Sequence, residues 1–116
     1  MDQILSLHFA KILLYLCAGH ALCDYPLQGD FLSRGKNRLV PGVPWYQCLA
    51  SHSIIHSAMV CWATGSFTLG IAELGIHAVT DYSKGRYWIS FNTDQGIHWT
   101  CKLAWAVLIV FFKDIR

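Results

Sequence analysis

The sequence predicts an all-α protein: an integral membrane four-helix bundle of up-down topology, with a long loop between its first and second helices. Three observations lead there. Hydrophobic residues make up 54% of the 116 residues and charged residues only 14%, whereas a soluble domain carries about 25% charged residues. The apolar residues gather in four stretches, and a chain so poor in charge can leave the surface of such stretches to lipid. Within them, His and acidic residues recur four positions apart, which is one turn of helix and one face.

The first stretch, about residues 4–23, is long enough to span a bilayer at roughly 20 residues. It does not read as a signal peptide: Asp2 replaces a basic start and Lys11 interrupts the apolar run. The second covers about 45–63, after which Thr64-Gly65-Ser66 marks a tight break. The third, about 67–82, is short and carries Gly70 and Gly75; the fourth covers about 94–112. Residues 26–44 hold all three prolines (Pro26, Pro41 and Pro44) with Gly29, Gly35 and Gly42, and read as a loop. Residues 83–93 read as a shorter one. The whole of 1–116 is expected to be a single transmembrane domain.

Five cysteines occur without a C-x-x-C pair, so neither a disulfide framework nor a thiolate zinc site is expected. Their apolar surroundings suit small hydrophobes. The formal net charge of +2 gives no footprint for nucleic acid. Basic residues are distributed unevenly. Arg34, Lys36 and Arg38 fall in the first loop and Lys84 and Arg86 in the third, against Lys113 and Arg116 at the other side. The positive-inside rule then puts both basic loops in the cytoplasm and both termini outside, as a multi-pass protein of the inner membrane. Trp45, Tyr46, Tyr82, Tyr87, Trp88 and Trp99 gather toward the basic loops, as an interfacial aromatic belt would.

The polar residues within the spans carry the chemistry, because polar groups there are costly. His20 and Asp24 are four apart, as are His52 and His56, Asp94 and His98, and the run Glu73, His77, Asp81. Alternating helix direction brings all four pairs to the end that bears the basic loops. Imidazole and carboxylate suit zinc first, and iron or manganese next. Helix bundles build such centres from inward ligands on facing helices. The expected metal ligands are His20, Asp24, His52, His56, His77, Asp81, Asp94 and His98, a set large enough for two ions.

Each residue also has a plainer reading. Asp94 can be an N-cap, Asp24 a turn residue before Tyr25-Pro26, and Asp81 a partner of Lys84. Glu73 and Lys102 lie one turn deeper at matching depth. They suit either a buried ion pair or a role for Glu73 as ligand or general base. Gln28 and Gln95 stand where they can support ligands, and His8 falls near the opposite surface.

The run His20-Ala-Leu-Cys-Asp24-Tyr-Pro-Leu-Gln28 resembles a family of bacterial and phage membrane proteins, domain of unknown function 3307. The resemblance continues through His52-Ser-x-x-His56, Glu73-x-x-x-His77-x-x-x-Asp81-Tyr-x-Lys84 and Asp94-Gln95-x-x-His98. It covers nearly the whole chain. It implies a small membrane protein and no established activity.

The function expected is a metal-dependent hydrolase at the cytoplasmic membrane face. Glu73 and Lys84 are the candidate catalytic residues, and the substrate is an anionic small molecule or a lipid. The alternatives are a di-iron membrane oxidoreductase and a non-enzymatic membrane effector whose metal is structural. Besides the lipid bilayer, a second copy or another membrane protein is the partner such a thin bundle suits, with Gly65, Gly70 and Gly75 permitting close helix contact.

Overall fold

The computed structural model describes residues 2–115; Arg116, counted above in the charge asymmetry, lies outside them. Among the described residues the chain is all-helical. Four long helices are α1 (Gln3–Asp24), α3 (Trp45–Thr64), α4 (Phe67–Gly85) and α5 (Phe91–Phe111), with a short α2 (Gly29–Gly35) between the first two. A 3-10 turn, Lys113–Ile115, follows α5.

Local chemistry sets the helix ends. The side chains of Asp2, Ser66 and Ser90 accept from the backbone N–H of Ile4, Leu69 and Thr93, capping α1, α4 and α5. Gly65 closes α3 in the left-handed region at φ 70°, where a side chain would be strained. Ser66 also donates from its hydroxyl to the carbonyl of Ile115, tying the end of the chain to this turn.

Three expectations need correction. The long loop contains a helix: Asp30 in the first turn and Arg34 in the last suit the dipole of α2. There α2 packs on α3, with Gly35 against the Cys48 side chain. The connection expected over 83–93 is shorter, because α4 runs on to Gly85 and Ser90 starts α5 early. Asp94 is therefore not an N-cap; it lies inside α5 and is buried. Finally, among the described residues, length and hydropathy alone qualify a single helix, α1, to cross a membrane. The other three long helices give interior positions to His, Asp, Glu and Lys, which lowers their mean hydropathy below that of a bare span.

Packing is closest between α3 and α4. Gly70 makes it so: a Cβ there would sit 3.0 Å from the Cβ of Cys61, and the Ser57 hydroxyl donates to the Gly70 carbonyl at 2.6 Å. A Cβ at Gly75 would meet nothing within 4 Å, so of the pair it is Gly70 whose missing side chain serves this interface. On the other side of α3, Gly19 of α1 lies against Met59.

The interior has two storeys. One holds the apolar core, including Leu16, Val60, Leu69, Trp105, Ala106 and Ile109. The other, toward α2 and the loop that precedes α5, holds His and carboxylate side chains.

Candidate metal centre

The four expected pairs meet in the polar storey. Because α1 and α4 end there while α3 and α5 begin there, one face from each helix converges on a shared volume. None of the eight expected ligands is more than 9% exposed.

Asp24 stands at the centre of the first group. Its Oδ1 lies 2.9 Å from His56 Nε2 and 3.2 Å from His52 Nε2. Its Oδ2 lies 3.3 Å from His20 Nε2 and accepts from the Gln95 amide at 3.0 Å. The His77 ring stacks on that of His56 at 3.8 Å between centroids. Ligand atoms of Asp24, His52, His56 and His77 all lie within 4.8 Å of one another.

Asp81, Asp94 and His98 form a second such group, and Glu73, His77 and His98 a third. His98 Nε2 faces Asp81 Oδ1 at 3.3 Å and Asp94 Oδ1 at 3.4 Å. Asp81 joins the first two groups, since its Oδ2 is 3.4 Å from His52 Nε2. His20 belongs to none of the three. It contacts Asp24 and Gln95, and its ring meets Trp99 edge-on at 4.7 Å.

These donors fit a metal ion. Four ligands at about 2.0–2.1 Å around a tetrahedral ion stand about 3.3 Å from one another. The Asp24–His52 and Asp24–His56 pairs at 3.2 and 2.9 Å and the His98–Asp81 and His98–Asp94 pairs at 3.3 and 3.4 Å are near that, and the other ligand atoms of each group lie within 4.8 Å. Nδ1 of His52, Nε2 of His77 and Oδ1 of Asp94 have no hydrogen-bond partner although they are buried, and Nε2 of His52 faces Asp24 and Asp81 at 3.2 and 3.4 Å without hydrogen-bond geometry. Such orphaned groups are rare in a folded interior, and a bound cation satisfies an imidazole lone pair. The buried His and Asp groups are thus able to hold a metal ion.

Glu73 and Lys102 form the deeper floor as an ion pair, at 2.5 Å between Glu73 Oε1 and Lys102 Nζ, with both residues 1% exposed. Trp105 donates to the other oxygen of Glu73 at 2.7 Å. Glu73 also faces His77 Nδ1 at 3.3 Å. That contact orients the ring and leaves Nε2 toward the first group, as carboxylates do for metal-bound imidazoles. Lys84 stands at the opposite, outer edge. Its Nζ is 3.0 Å from Asp94 Oδ2 and 3.6 Å from Asp81 Oδ1.

A depression of about 370 Å³ opens beside the first group, lined in part by Asp24, Gln28, Asp30, Ser33, Lys84 and Gln95. It gives Asp24, Gln95 and Lys84 a common outlet. Gln28 reaches the backbone carbonyl of Asp24, at 2.8 Å, rather than a ligand side chain. Gln95 does support the ligands, bonding Asp24 and Asp94 and facing His20. Replacing Gln95 with Leu is expected to weaken zinc affinity about 10–100-fold, measured by competition with a chromogenic chelator. Unchanged affinity would remove Gln95 from the supporting shell.

Sequence reasoning missed Lys36. Read as a loop cation, it is instead 6% exposed, with Nζ 2.5 Å from Asp81 Oδ2. Spacing could not have found it, since α2 decides where the residue after Gly35 lands. Around the same end, Trp45, Tyr82 and Trp88 pack in sequence, with Arg38 over Trp45 and Arg86 over Trp88.

No family model, no curated protein and no solved structure matches this chain.

Proposed function

We propose that the chain is a membrane-embedded metal-dependent hydrolase whose centre is built on Asp24, His52, His56 and His77. The observation that carries this reading is that these four buried side chains bring their ligand atoms within 4.8 Å of one another. Zinc suits the nitrogen and oxygen donors best. A bound ion of this kind lowers the pKa of water to about 7 and supplies hydroxide at neutral pH. The chain's own residues then do the rest. Glu73 orients His77, Gln95 holds Asp24, and Lys84 stands at the mouth where an anionic group of the substrate arrives.

The depression beside Asp24 favours catalysis over a structural metal. A structural site closes all positions around its ion, whereas a catalytic one keeps an approach open. Substrate and water have that approach between Asp24, Lys84 and Gln95.

Membrane embedding rests on an inverted distribution of polarity. Among the described residues, buried polar and charged side chains outnumber buried apolar ones. The outward surface of the long helices meanwhile bears Leu7, Leu14, Ile54, Trp62, Ile71, Val79, Leu103 and Phe111, all exposed. Such a surface is at home in hydrocarbon. Helices of 19 to 22 residues measure about 28–33 Å, close to the roughly 30 Å of a bilayer core. In this reading the basic loops, the aromatic rim and the centre lie at the cytoplasmic face of the inner membrane.

The test is elemental analysis of detergent-purified protein, followed by assays on chromogenic phosphate and carboxylate esters. Bound zinc with metal-dependent ester cleavage is the expected result. Bound iron with oxygen-dependent absorbance would replace the hydrolase with an oxidoreductase. Metal without turnover would favour an effector, and absence of metal from folded protein would end the metal reading.

A further inference from the structure

We infer that the centre takes one divalent ion, at the Asp24 group, and that Lys36 and Lys84 stand in for a second ion at the Asp81–Asp94 group. The inference rests on the metal-centre reading above and concerns how the site is charged and what it admits.

The two acidic groups differ in the cations they already possess. At the Asp81–Asp94 group, Lys36 Nζ is 2.5 Å from Asp81 Oδ2. Lys84 Nζ is 3.0 Å from Asp94 Oδ2 and 3.6 Å from Asp81 Oδ1. Both carboxylates therefore meet an ammonium within contact distance. A second ion would compete with these ammonium groups for both Asp81 oxygens and for Asp94 Oδ2, leaving it only the unpartnered Asp94 Oδ1 of the carboxylate oxygens, and would be forced against two like charges. At Asp24 the arrangement is reversed. Its carboxylate partners are His20, His52, His56 and Gln95, and none of the salt bridges among the described residues joins it to a lysine or arginine. This is the acidic group still lacking a full cation. Of the orphaned nitrogens beside it, His52 Nε2 lies 3.2 Å from Asp24 Oδ1 and 3.4 Å from Asp81 Oδ2, and His77 Nε2 lies 3.7 Å from Asp81 Oδ2, so they stand between the two groups.

Charge balance leads to the same assignment. The three aspartates and two lysines leave one negative charge when the imidazoles are neutral; Glu73 and Lys102 cancel each other. One divalent ion converts that to one positive charge, which an anionic ligand neutralises. Two ions would leave three positive charges in a poorly polarisable interior, where uncompensated charge is costly. The one-ion centre thus carries one positive charge, which metal-bound hydroxide balances before turnover and an anionic group of the ligand balances when it takes that place. Lys84, lining the depression beside Asp24, lies where such an anion enters. The geometry suits a substrate presenting one anionic group, such as a phosphate diester or a carboxylate, to the ion and Lys84 together.

The experiment counts ions. Full-length protein in detergent is stripped with chelator, reloaded with graded zinc, washed free of weakly held metal and analysed for zinc per chain. The K36M/K84M double variant is treated in parallel. One tight ion in the wild type, rising to two in the variant as Asp81, Asp94 and His98 are released, is the expected result. Two tight ions in the wild type would overturn this inference and leave the metal centre standing. None would overturn the centre itself. If the variant does not fold, the wild-type count decides alone. If it folds and still holds one ion, the lysines are not what excludes the second, and the inference falls.

Discussion

Replacing Asp24 with Ala is expected to cost more than about 100-fold in zinc affinity, beyond what is typical when only a supporting partner of a metal ligand is lost. Asp24 is singled out by what converges on it. One oxygen faces two imidazole nitrogens and the other is held by Gln95 and faces His20. Its loss removes the negative charge at the group without its own ammonium and leaves His52 and His56 without the oxygen they share. Asp30→Ala is the matched control, because Asp30 lines the same depression from an exposed position on α2. Chelator competition in detergent reads both variants. Equal affinities for Asp24→Ala and the wild type would exclude Asp24 as a ligand.

The second large effect concerns the floor of the centre. Lys102→Met is expected to destabilise the bundle by about 3–5 kcal/mol, because removing one partner strands a buried charge. Glu73 cannot reach water in that variant: it is 1% exposed, and Trp105 and His77 hold its oxygens in place. Adding Glu73→Gln should restore most of the loss, since the amide oxygen still accepts from Trp105 while the charge is gone. Thermal unfolding followed by far-ultraviolet circular dichroism separates the cases. A double variant as unstable as Lys102→Met would assign the loss to packing by the lysine stem rather than to charge.

The parts of the centre that follow helical periodicity were legible in the sequence. The pairs His20 with Asp24, His52 with His56, His77 with Asp81 and Asp94 with His98 needed only a turn of helix and alternating direction to be placed together. The depth match of Glu73 with Lys102 was legible for the same reason: the two form an ion pair, and Glu73 also belongs to a ligand group with His77 and His98. Lys36 was not legible, because its position depends on a helix within a segment whose prolines and glycines read as loop. The start of α5 was misplaced because Ser90, a good cap, precedes three residues of weak helix preference. The membrane expectation came from composition, yet three of the long helices do not pass a simple hydropathy test. Their inward chemistry dilutes an average that does not distinguish one face from the other.

The two-residue connection between α3 and α4, with Gly65 in its left-handed turn, has a consequence for assembly. Closing so short a loop costs little chain entropy, and the small face around Gly70 lets the two helices approach closely. They can therefore pair before α1 and α5 are in place. In doing so they turn His52, His56, His77 and Asp81 toward each other, so the most polar faces of the chain shelter one another while the apolar faces remain outside. The hairpin is thus a half-built cup in itself, and α1 and α5 complete it with Asp24, Asp94 and His98.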